Sequence, residues 1–188
     1  TTGVNYSVQV GIGGRFDITV GGTVSIHHLY QNHYGPGPGF VSVSGNPTVN
    51  IKYRHTCWNP GTRFDMSGGT LNYLYQGDSA LFMATHFNPA KGWFATGGTI
   101  TFYGSIFSVN WGTTFRASDS AVIRFAGNIE SRVRLQTRTA TTGSPTYWAF
   151  NDLRVEKTGG ARLAITNEGS APMMNRVTAD KGVTVDSG

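Results

Sequence analysis

This sequence has almost no cysteine, no long apolar run and no helical periodicity. Cys57 is the only cysteine among 188 residues, which excludes an intrachain disulfide framework and predicts a buried, apolar role for its side chain. No run of about 18 apolar residues occurs, so no membrane insertion is expected. No stretch places apolar residues at i, i+3, i+4 and i+7 between capping signals. The chain is therefore expected to consist of packed strands and turns.

Charge is also scarce. Charged residues make up 13% of the chain, against a usual ~25%, whereas 26 residues are glycine, and this balance favours strands joined by tight turns. The net charge of +5 comes from basic residues spread along the chain, most densely between Arg116 and Arg162. A nucleic-acid-binding protein would gather such residues into one patch with interleaved aromatics. We therefore expect single charges on the outer faces of strands, with an arginine ladder for acidic glycans or nucleic acid as the alternative. Nucleic acid is not favoured as a partner.

Neither end of the sequence carries a recognisable targeting signal. TTGVNYSVQV has neither a basic n-region nor an apolar h-region and begins without Met, which predicts a processed chain or an excised fragment. VTADKGVTVDSG reads as a strand, a glycine corner and a strand with no polar cap after them. This pattern predicts either a longer chain beyond Gly188 or a strand edge that pairs with another.

The dominant positive feature is an internal repeat. FDITVGGTVSI begins at Phe16, and related stretches begin at Phe40 (FVSVSGNPTVNI), Phe64 (FDMSGGTLNYL), Phe94 (FATGGTITFY) and Phe115 (FRASDSAVIRF). The spacing of these copies lies within the range of repeat lengths that solenoid proteins use. Such repeats in a glycine-rich chain indicate stacked coils, because one coil cannot bury its own apolar face.

Each copy has a short alternating strand, a small-residue corner, a threonine and a second alternating strand. Alternation with period two turns one face of each strand inward, and glycine allows the tight, closely packed corners that such coils need. The predicted corner glycines are Gly21, Gly22, Gly45, Gly68, Gly69, Gly97 and Gly98, and the threonines that follow are Thr23, Thr48, Thr70 and Thr99. The repeat predicts an all-β, single-domain, right-handed parallel β-helix, or β-solenoid, that covers the whole chain and has lateral loops. Its coils are expected to be irregular, with lengths of roughly 21 to roughly 30 residues.

The last part of the chain resembles a known type of coil. FNDLRVEKTGG, from Phe150, and the closing VTADKGVTVDSG are similar to the FxNLxVxxxGG and LxVxxGVxVxSG coils of large bacterial surface and secreted β-solenoid proteins. The resemblance covers the chain from Phe150 to Gly188 and, more loosely, the FxxxGGT copies upstream. It implies the coil type and an extracellular or cell-surface location, and it transfers no catalytic residue to this chain.

Two aromatic-rich excursions, around Trp58 and around Trp93, leave the repeat at similar places, and a loop with an aromatic edge leaves it around His33. Loops that leave successive coils on one side gather on one face, and an exposed row of aromatic rings suits stacking on sugars. The carbohydrate contacts predicted on this basis are Tyr30, His33, Tyr34, Trp58, His86 and Trp93. In the alternative, these rings fold back and cover the flank of the solenoid.

No metal site or cofactor is predicted. His27, His28 and His33 match no strong metal motif, and His27 and His28, as neighbours on a strand, are expected to point to opposite faces. The GGRFD string before Ile18 breaks the spacing of a calcium-binding nonapeptide repeat. These residues are interpreted as loop and strand polarity.

No catalytic residue is predicted, and the chain is not expected to be an enzyme. Asp17 and Asp65 hold equivalent places two coils apart, roughly 10 Å along the axis, which is near the ~6.5–9.5 Å of an inverting glycosidase pair. Repeated aspartates more often serve structural roles. A polysaccharide lyase or hydrolase and a phage tail-spike segment remain less favoured alternatives. Ice binding is disfavoured because only Thr99 to Thr101 forms a TxT pattern on a strand.

The expected function is that of a structural or adhesive extracellular β-solenoid. Its partners are expected to be itself, head to tail in a filament, or flanking repeats of the same chain in a large surface protein. The alternative is a carbohydrate-binding β-helix that uses the aromatic lateral loops, with a polysaccharide as partner.

Overall fold

A computed structural model describes residues 6–11, 13–19, 21–31, 39–58, 62–84, 92–109, 114–136, 147–167 and 176–185. These residues form nineteen β-strands and no helix, so they contain no helix long and apolar enough to cross a membrane. All strand pairs are parallel. The predicted all-β, parallel β-solenoid fold is confirmed.

In chain order the strands are β1 (Ser7–Val10), β2 (Arg15–Ile18), β3 (Gly22–Gln31), β4 (Phe40–Val43), β5 (Pro47–Cys57), β6 (Arg63–Met66), β7 (Thr70–Tyr73), β8 (Leu81–Met83), β9 (Gly92–Ala95), β10 (Thr99–Phe102), β11 (Ile106–Val109), β12 (Thr114–Ala117), β13 (Val122–Gly127), β14 (Ser131–Gln136), β15 (Tyr147–Ala149), β16 (Asp152–Lys157), β17 (Leu163–Asn167), β18 (Arg176–Thr178) and β19 (Gly182–Val185).

The strands stack into three ladders that run along the solenoid axis. Ladder 1 is a seven-stranded sheet of β2, β4, β6, β9, β12, β15 and β18. Ladder 2 contains residues 22–26 of β3, residues 47–51 of β5, and then β7, β10, β13, β16 and β19. Ladder 3 contains β1, residues 28–31 of β3, residues 54–57 of β5, and then β8, β11, β14 and β17. The long strands β3 and β5 join ladders 2 and 3 into one twelve-stranded sheet.

The register confirms part of the predicted repeat and corrects the rest. The four repeat threonines form one in-register column on ladder 2: Thr23, Thr48, Thr70 and Thr99. On ladder 1, however, Phe16 pairs with Val41 rather than Phe40, and Phe64 pairs with Trp93 rather than Phe94. Because side chains alternate along a strand, this shift of one residue exchanges the inner and outer positions.

The turns of the solenoid are irregular in length. On ladder 1, Trp93 pairs with Phe115 in the next turn, and Phe115 pairs with Trp148 in the turn after that. The second of these turns is half as long again as the first, and it is longer than any coil expected from the sequence. The polar stretch between Thr137 and Thr146 belongs to the sequence of this long turn and lies outside the described residues.

The glycine corners between ladders 1 and 2 stack as tightly as predicted. Gly69 has a φ of +80°, and a Cβ atom there would lie 2.5 Å from the carbonyl oxygen of Pro47 in the preceding turn. A Cβ atom on Gly68 would lie 2.5 Å from the carbonyl oxygen of Gly45. Among the other predicted corner glycines, Gly22, Gly45 and Gly98 also have positive φ, Gly97 has a similarly close neighbour, and Gly21 meets neither condition. In later turns Asp119 and Asn151 adopt the left-handed conformation instead.

The interior contains two stacks of aromatic rings parallel to the axis. On ladder 1, Phe64 and Trp93, Trp93 and Phe115, and Phe115 and Trp148 have ring centroids 5.2, 4.4 and 4.9 Å apart, with nearly parallel planes. On ladder 2, Tyr73, Phe102 and Phe125 form a similar stack at 4.5 and 5.3 Å. All seven rings are buried. Such stacks fix the register, because a slip of one residue would expose the rings.

Candidate binding cleft and open end

A column of outward-facing residues on ladder 3 forms the wall of a cleft. Tyr30, Thr56, Phe82, Phe107 and Arg134 are in register on successive strands. Thr56 is the small member, so it leaves a gap between two aromatic rings that lie two strands, or about 10 Å, apart.

This gap opens into a cavity of about 190 Å³. The cavity is lined by His28, Tyr30, Arg54, Thr56, Trp58 and Phe82. Trp58 follows the end of β5 and stacks on Phe82, with ring centroids 5.4 Å apart. Its side chain is 43% exposed. The cleft therefore combines aromatic surfaces with polar groups, which is the arrangement that carbohydrate sites use to orient a sugar ring.

His28 forms part of the buried side of the cleft. Its Nε2 lies 3.1 Å from the Thr56 hydroxyl, and its ring stacks on Tyr30 with centroids 3.5 Å apart. Burial, and next the charge of Arg54, lower the pKa of His28 to about 4. His28 is therefore neutral at pH 7, and Arg54 supplies the positive charge of the cleft.

A β-bulge places the two adjacent histidines near one ring. Between Ile26 and His28 the pairing of β3 with β5 shifts, because β5 has one extra residue there. The rings of His27 and His28 both contact Tyr53, at centroid distances of 5.7 and 5.6 Å. The expectation that they point to opposite faces is wrong, since it assumed an unbroken strand.

The structure separates the predicted carbohydrate contacts. Tyr30 and Trp58 lie in the same cleft. His33, Tyr34 and His86 lie outside the described residues. Trp93 is fully buried in the ladder 1 stack, so its prediction as a carbohydrate contact is wrong. The cause is the shift of one residue that gives Trp93 the interior position and leaves the neighbouring Phe94 half-buried outside.

Sequence reasoning missed His28, Arg54, Thr56 and Phe82 as cleft residues. These residues lie at the alternate positions of β3, β5 and β8 that face outward. Which positions face outward is known only from the bulge and the pairing of these strands. The repeat at Phe16, Phe64 and Phe115 describes ladder 1 and carries no information about this face.

A chain of buried polar groups crosses the interior behind the cleft. Trp93 Nε1 donates a hydrogen bond to the Tyr73 hydroxyl at 3.2 Å, and that hydroxyl lies 2.8 Å from His55 Nδ1. His55 Nε2 lies 2.7 Å from Gln31 Oε1, and the Gln31 amide nitrogen donates to two backbone carbonyls. Since Gln31 Oε1 can only accept, His55 carries its proton on Nε2 and accepts from Tyr73.

This network keeps its histidine neutral. His55 is fully buried, and burial lowers its pKa to about 3, with the charge of His28 as a smaller cause. The Cys57 thiol donates to the same Gln31 oxygen at 3.3 Å, and burial raises the pKa of this thiol. Cys57 is thus buried, as the sequence predicted, and its thiol is protonated.

The paired aspartates of ladder 1 are held in ion pairs. Asp17, Ser42 and Asp65 are in register, which confirms that the two aspartates lie two turns apart. Arg15 Nε lies 2.6 Å from Asp17, and Arg63 Nε lies 2.7 Å from Asp65. The hydrogen bond from Arg15, followed by that from Ser42, lowers the pKa of the Asp17 carboxyl, so this group is ionised at neutral pH.

One end of the solenoid exposes its interior. Within the described part of the chain, β17, β18 and β19 each pair on one side only. Ile165, Val183 and Val185 are 47%, 58% and 69% exposed. With Leu153, Val155 and Leu163 they line a cavity of about 470 Å³. We call these three strands and this cavity the open end.

Among the described residues, no group of three or more His, Cys, Asp or Glu side chains is placed to hold a metal ion. No protein-family model, no curated protein and no solved structure matches the chain. The cleft and the open end are therefore defined by the geometry of this chain alone.

Proposed function

We propose that this chain is a structural or adhesive extracellular β-solenoid that associates end to end through its open end. The observation that carries the proposal is the exposure of Val183 and Val185 at the end of two interior columns. Successive pairing on ladder 2 puts Val183 in register with a column that runs from Val49 to Leu153. The residues of that column are buried. Apolar side chains in such a position are stabilised when another coil covers them.

A second copy offers matching strands at its opposite end. Within the described residues, β1, β2 and residues 22–26 of β3 are the outermost strands of ladders 3, 1 and 2 at that end. Head-to-tail stacking would pair β17, β18 and β19 with these strands in parallel, and Val24 would cover Val183. The contact joins two different surfaces, so repetition gives an open filament unless rotation closes it. In a larger surface protein, flanking repeats of the same chain make the same contact.

The proposal predicts assembly that depends on the open end. Negative-stain microscopy and mass photometry of the purified chain across a concentration series should show filaments or regular oligomers. The Val183→Asp/Val185→Asp variant should remain monomeric, because each carboxylate would be buried without a partner in the contact.

Leu74→Asp is the matched control, since Leu74 is 39% exposed in the turn after β7, away from the open end. This variant should assemble like the wild type. A wild-type chain that stays monomeric at every concentration would overturn end-to-end association.

Carbohydrate binding at the cleft is the second candidate function. It is favoured by the convergence of Tyr30, Trp58 and Phe82 around a cavity that also contains an arginine. Aromatic rings provide flat apolar surfaces for the C–H faces of a sugar, and the polar groups orient its hydroxyls. Calorimetry with soluble oligosaccharides tests this candidate, and Trp58→Ala should weaken whatever binding is found.

A further inference from the structure

Arg54 differs from most arginines on this surface. Arg15, Arg63, Arg124, Arg132, Arg154 and Arg162 each form an ion pair with an aspartate or glutamate. None of the ion pairs in the described part of the chain includes Arg54. Among the described residues, no carboxylate forms an ion pair that neutralises the positive charge of Arg54 in the cleft.

The Arg54 guanidinium is held in place at the wall of the cleft. Its Nε donates a hydrogen bond to the carbonyl oxygen of Ser79 at 3.1 Å, and its Cζ lies 5.4 Å from the centre of the Tyr53 ring. The two terminal nitrogens make no hydrogen bond to a described residue. A guanidinium anchored through Nε presents these two nitrogens as a planar fork, which matches the two oxygens of a carboxylate.

We propose that the cleft binds an acidic sugar, with Arg54 pairing the carboxylate of a hexuronate residue whose ring stacks among Tyr30, Trp58 and Phe82. The inference rests on the second proposed function, carbohydrate binding at the cleft, and adds the class of sugar. The aromatic column continues to Phe107, on whose ring Arg134 lies at 4.5 Å, so the surface extends along the axis beyond the cleft. An extended polyuronate chain is therefore the favoured form of the ligand.

A single-stranded nucleic acid would also combine stacking with negative charge, but this surface suits it less. Such ligands are held by grooves in which many basic side chains follow the phosphates. Here Arg132, the next described arginine along ladder 3 with Arg134, already pairs with Glu130, and Arg134 lies over the Phe107 ring. One guanidinium outside these ion pairs, beside a single ring-sized cavity, fits one carboxylate per sugar better than a continuous phosphate backbone.

The test compares each acidic sugar with its own uncharged ester. The probes are tetramers of galacturonate, mannuronate and glucuronate, together with their methyl esters, measured by calorimetry at a fixed, near-physiological salt concentration. The wild type should bind at least one acid about 10-fold or more tightly than its ester. Arg54→Gln should abolish that difference, and Arg54→Lys should retain only part of it, because the charge remains while the fork is lost.

Arg116→Gln is the matched control, since Arg116 is an exposed arginine on ladder 1. It should leave binding unchanged. Thermal midpoints establish that each variant is folded. If Arg54→Gln does not fold, the comparison of Arg54→Lys with the wild type decides the result.

The other outcomes separate the two proposals. Equal binding of acid and ester, weakened by Trp58→Ala, overturns the acidic-sugar inference and keeps carbohydrate binding. Binding of none of the six tetramers by the wild type overturns both. Tighter binding of a single-stranded oligonucleotide than of any tetramer, lost in Arg54→Gln, assigns the cleft to nucleic acid instead.

Discussion

Replacement of Trp93 by alanine is expected to lower the free energy of unfolding by about 3–5 kcal/mol, the range found for large aromatic truncations in protein cores. Trp93 lies between Phe64 and Phe115 in the ladder 1 stack, so the cavity would interrupt packing on both sides. The change also removes the indole donor of the hydrogen bond to the buried Tyr73 hydroxyl. Urea unfolding followed by circular dichroism measures the loss.

Trp58→Ala is the comparison for this prediction. Trp58 is 43% exposed and stacks on Phe82 at the surface of the solenoid. Its removal should cost less than about 1.5 kcal/mol, in line with the value of a single aromatic pair. Equal losses in the free energy of unfolding for the two variants would show that Trp93 is not an interior residue. That result would contradict the register of ladder 1.

The second large effect is destabilisation by mild acid. The pKa of His55 is lowered to about 3 and that of His28 to about 4, whereas both are near 6.5 in the unfolded chain. Below pH 6.5 the unfolded state therefore binds protons that the folded state does not, so stability falls as the pH falls from 6.5 towards these lowered values. Above pH 6.5 the effect is absent. At pH 4.5 the fully buried His55 should contribute a loss of about 2–3 kcal/mol, and His28, which borders the cleft, should contribute a smaller loss.

Urea unfolding at pH 7.5, 6.0 and 4.5 checks this pH dependence. His55→Gln should lower stability at pH 7.5, because the Tyr73 and Gln31 partners are disturbed, yet it should also flatten the pH dependence between 6.5 and 4.5. His28→Gln should further reduce the change in the free energy of unfolding between pH 6.5 and 4.5. A wild-type stability that is unchanged between pH 7.5 and 4.5 would contradict the neutral, buried network.

The repeat was enough to predict the architecture because its most regular features are local. The glycine corner and the threonine after it have backbone requirements that recur in every early turn, and Thr23 to Thr99 are aligned as the sequence indicates. The alternation of Asp17 and Asp65 with apolar neighbours likewise places these aspartates on the outer surface of ladder 1.

The interior register was harder to predict because neighbouring aromatics compete for one position. Trp93 and Phe94 are both large and apolar, and only the pairing with Phe64 and Phe115 decides which ring points inward. The same ambiguity affects Phe40 and Val41. A local pattern cannot resolve a choice that depends on stacking with other turns.

The cleft depends on features that no single stretch of sequence displays. The bulge between β3 and β5 sets the direction of His28 and Arg54, and the gap above Thr56 exists only because Tyr30 and Phe82 lie on either side of it. Lys157 is a similar case at the other end of the chain. It is buried, and its ammonium group donates to the carbonyls of Ala126 and Ile129 and to the Ser131 hydroxyl.

Intermolecular disulfide cross-linking tests end-to-end association most directly. Ser25 and Thr184 occupy the first and last places of one outward column on ladder 2, so stacking in continuous register brings Thr184 of one copy beside Ser25 of the next. Adjacent strands are about 4.8 Å apart, which is within the Cα separation that a disulfide spans. The native Cys57 is buried and should not interfere.

Under mild oxidation, the Ser25→Cys/Thr184→Cys variant is expected to form a series of covalent multimers on non-reducing gels. Gln9→Cys/Thr184→Cys is the mismatched control, because Gln9 lies on ladder 3, and it should give far fewer. Monomers alone from the matched pair, or equal cross-linking of both pairs, would contradict stacking of the open end in continuous register.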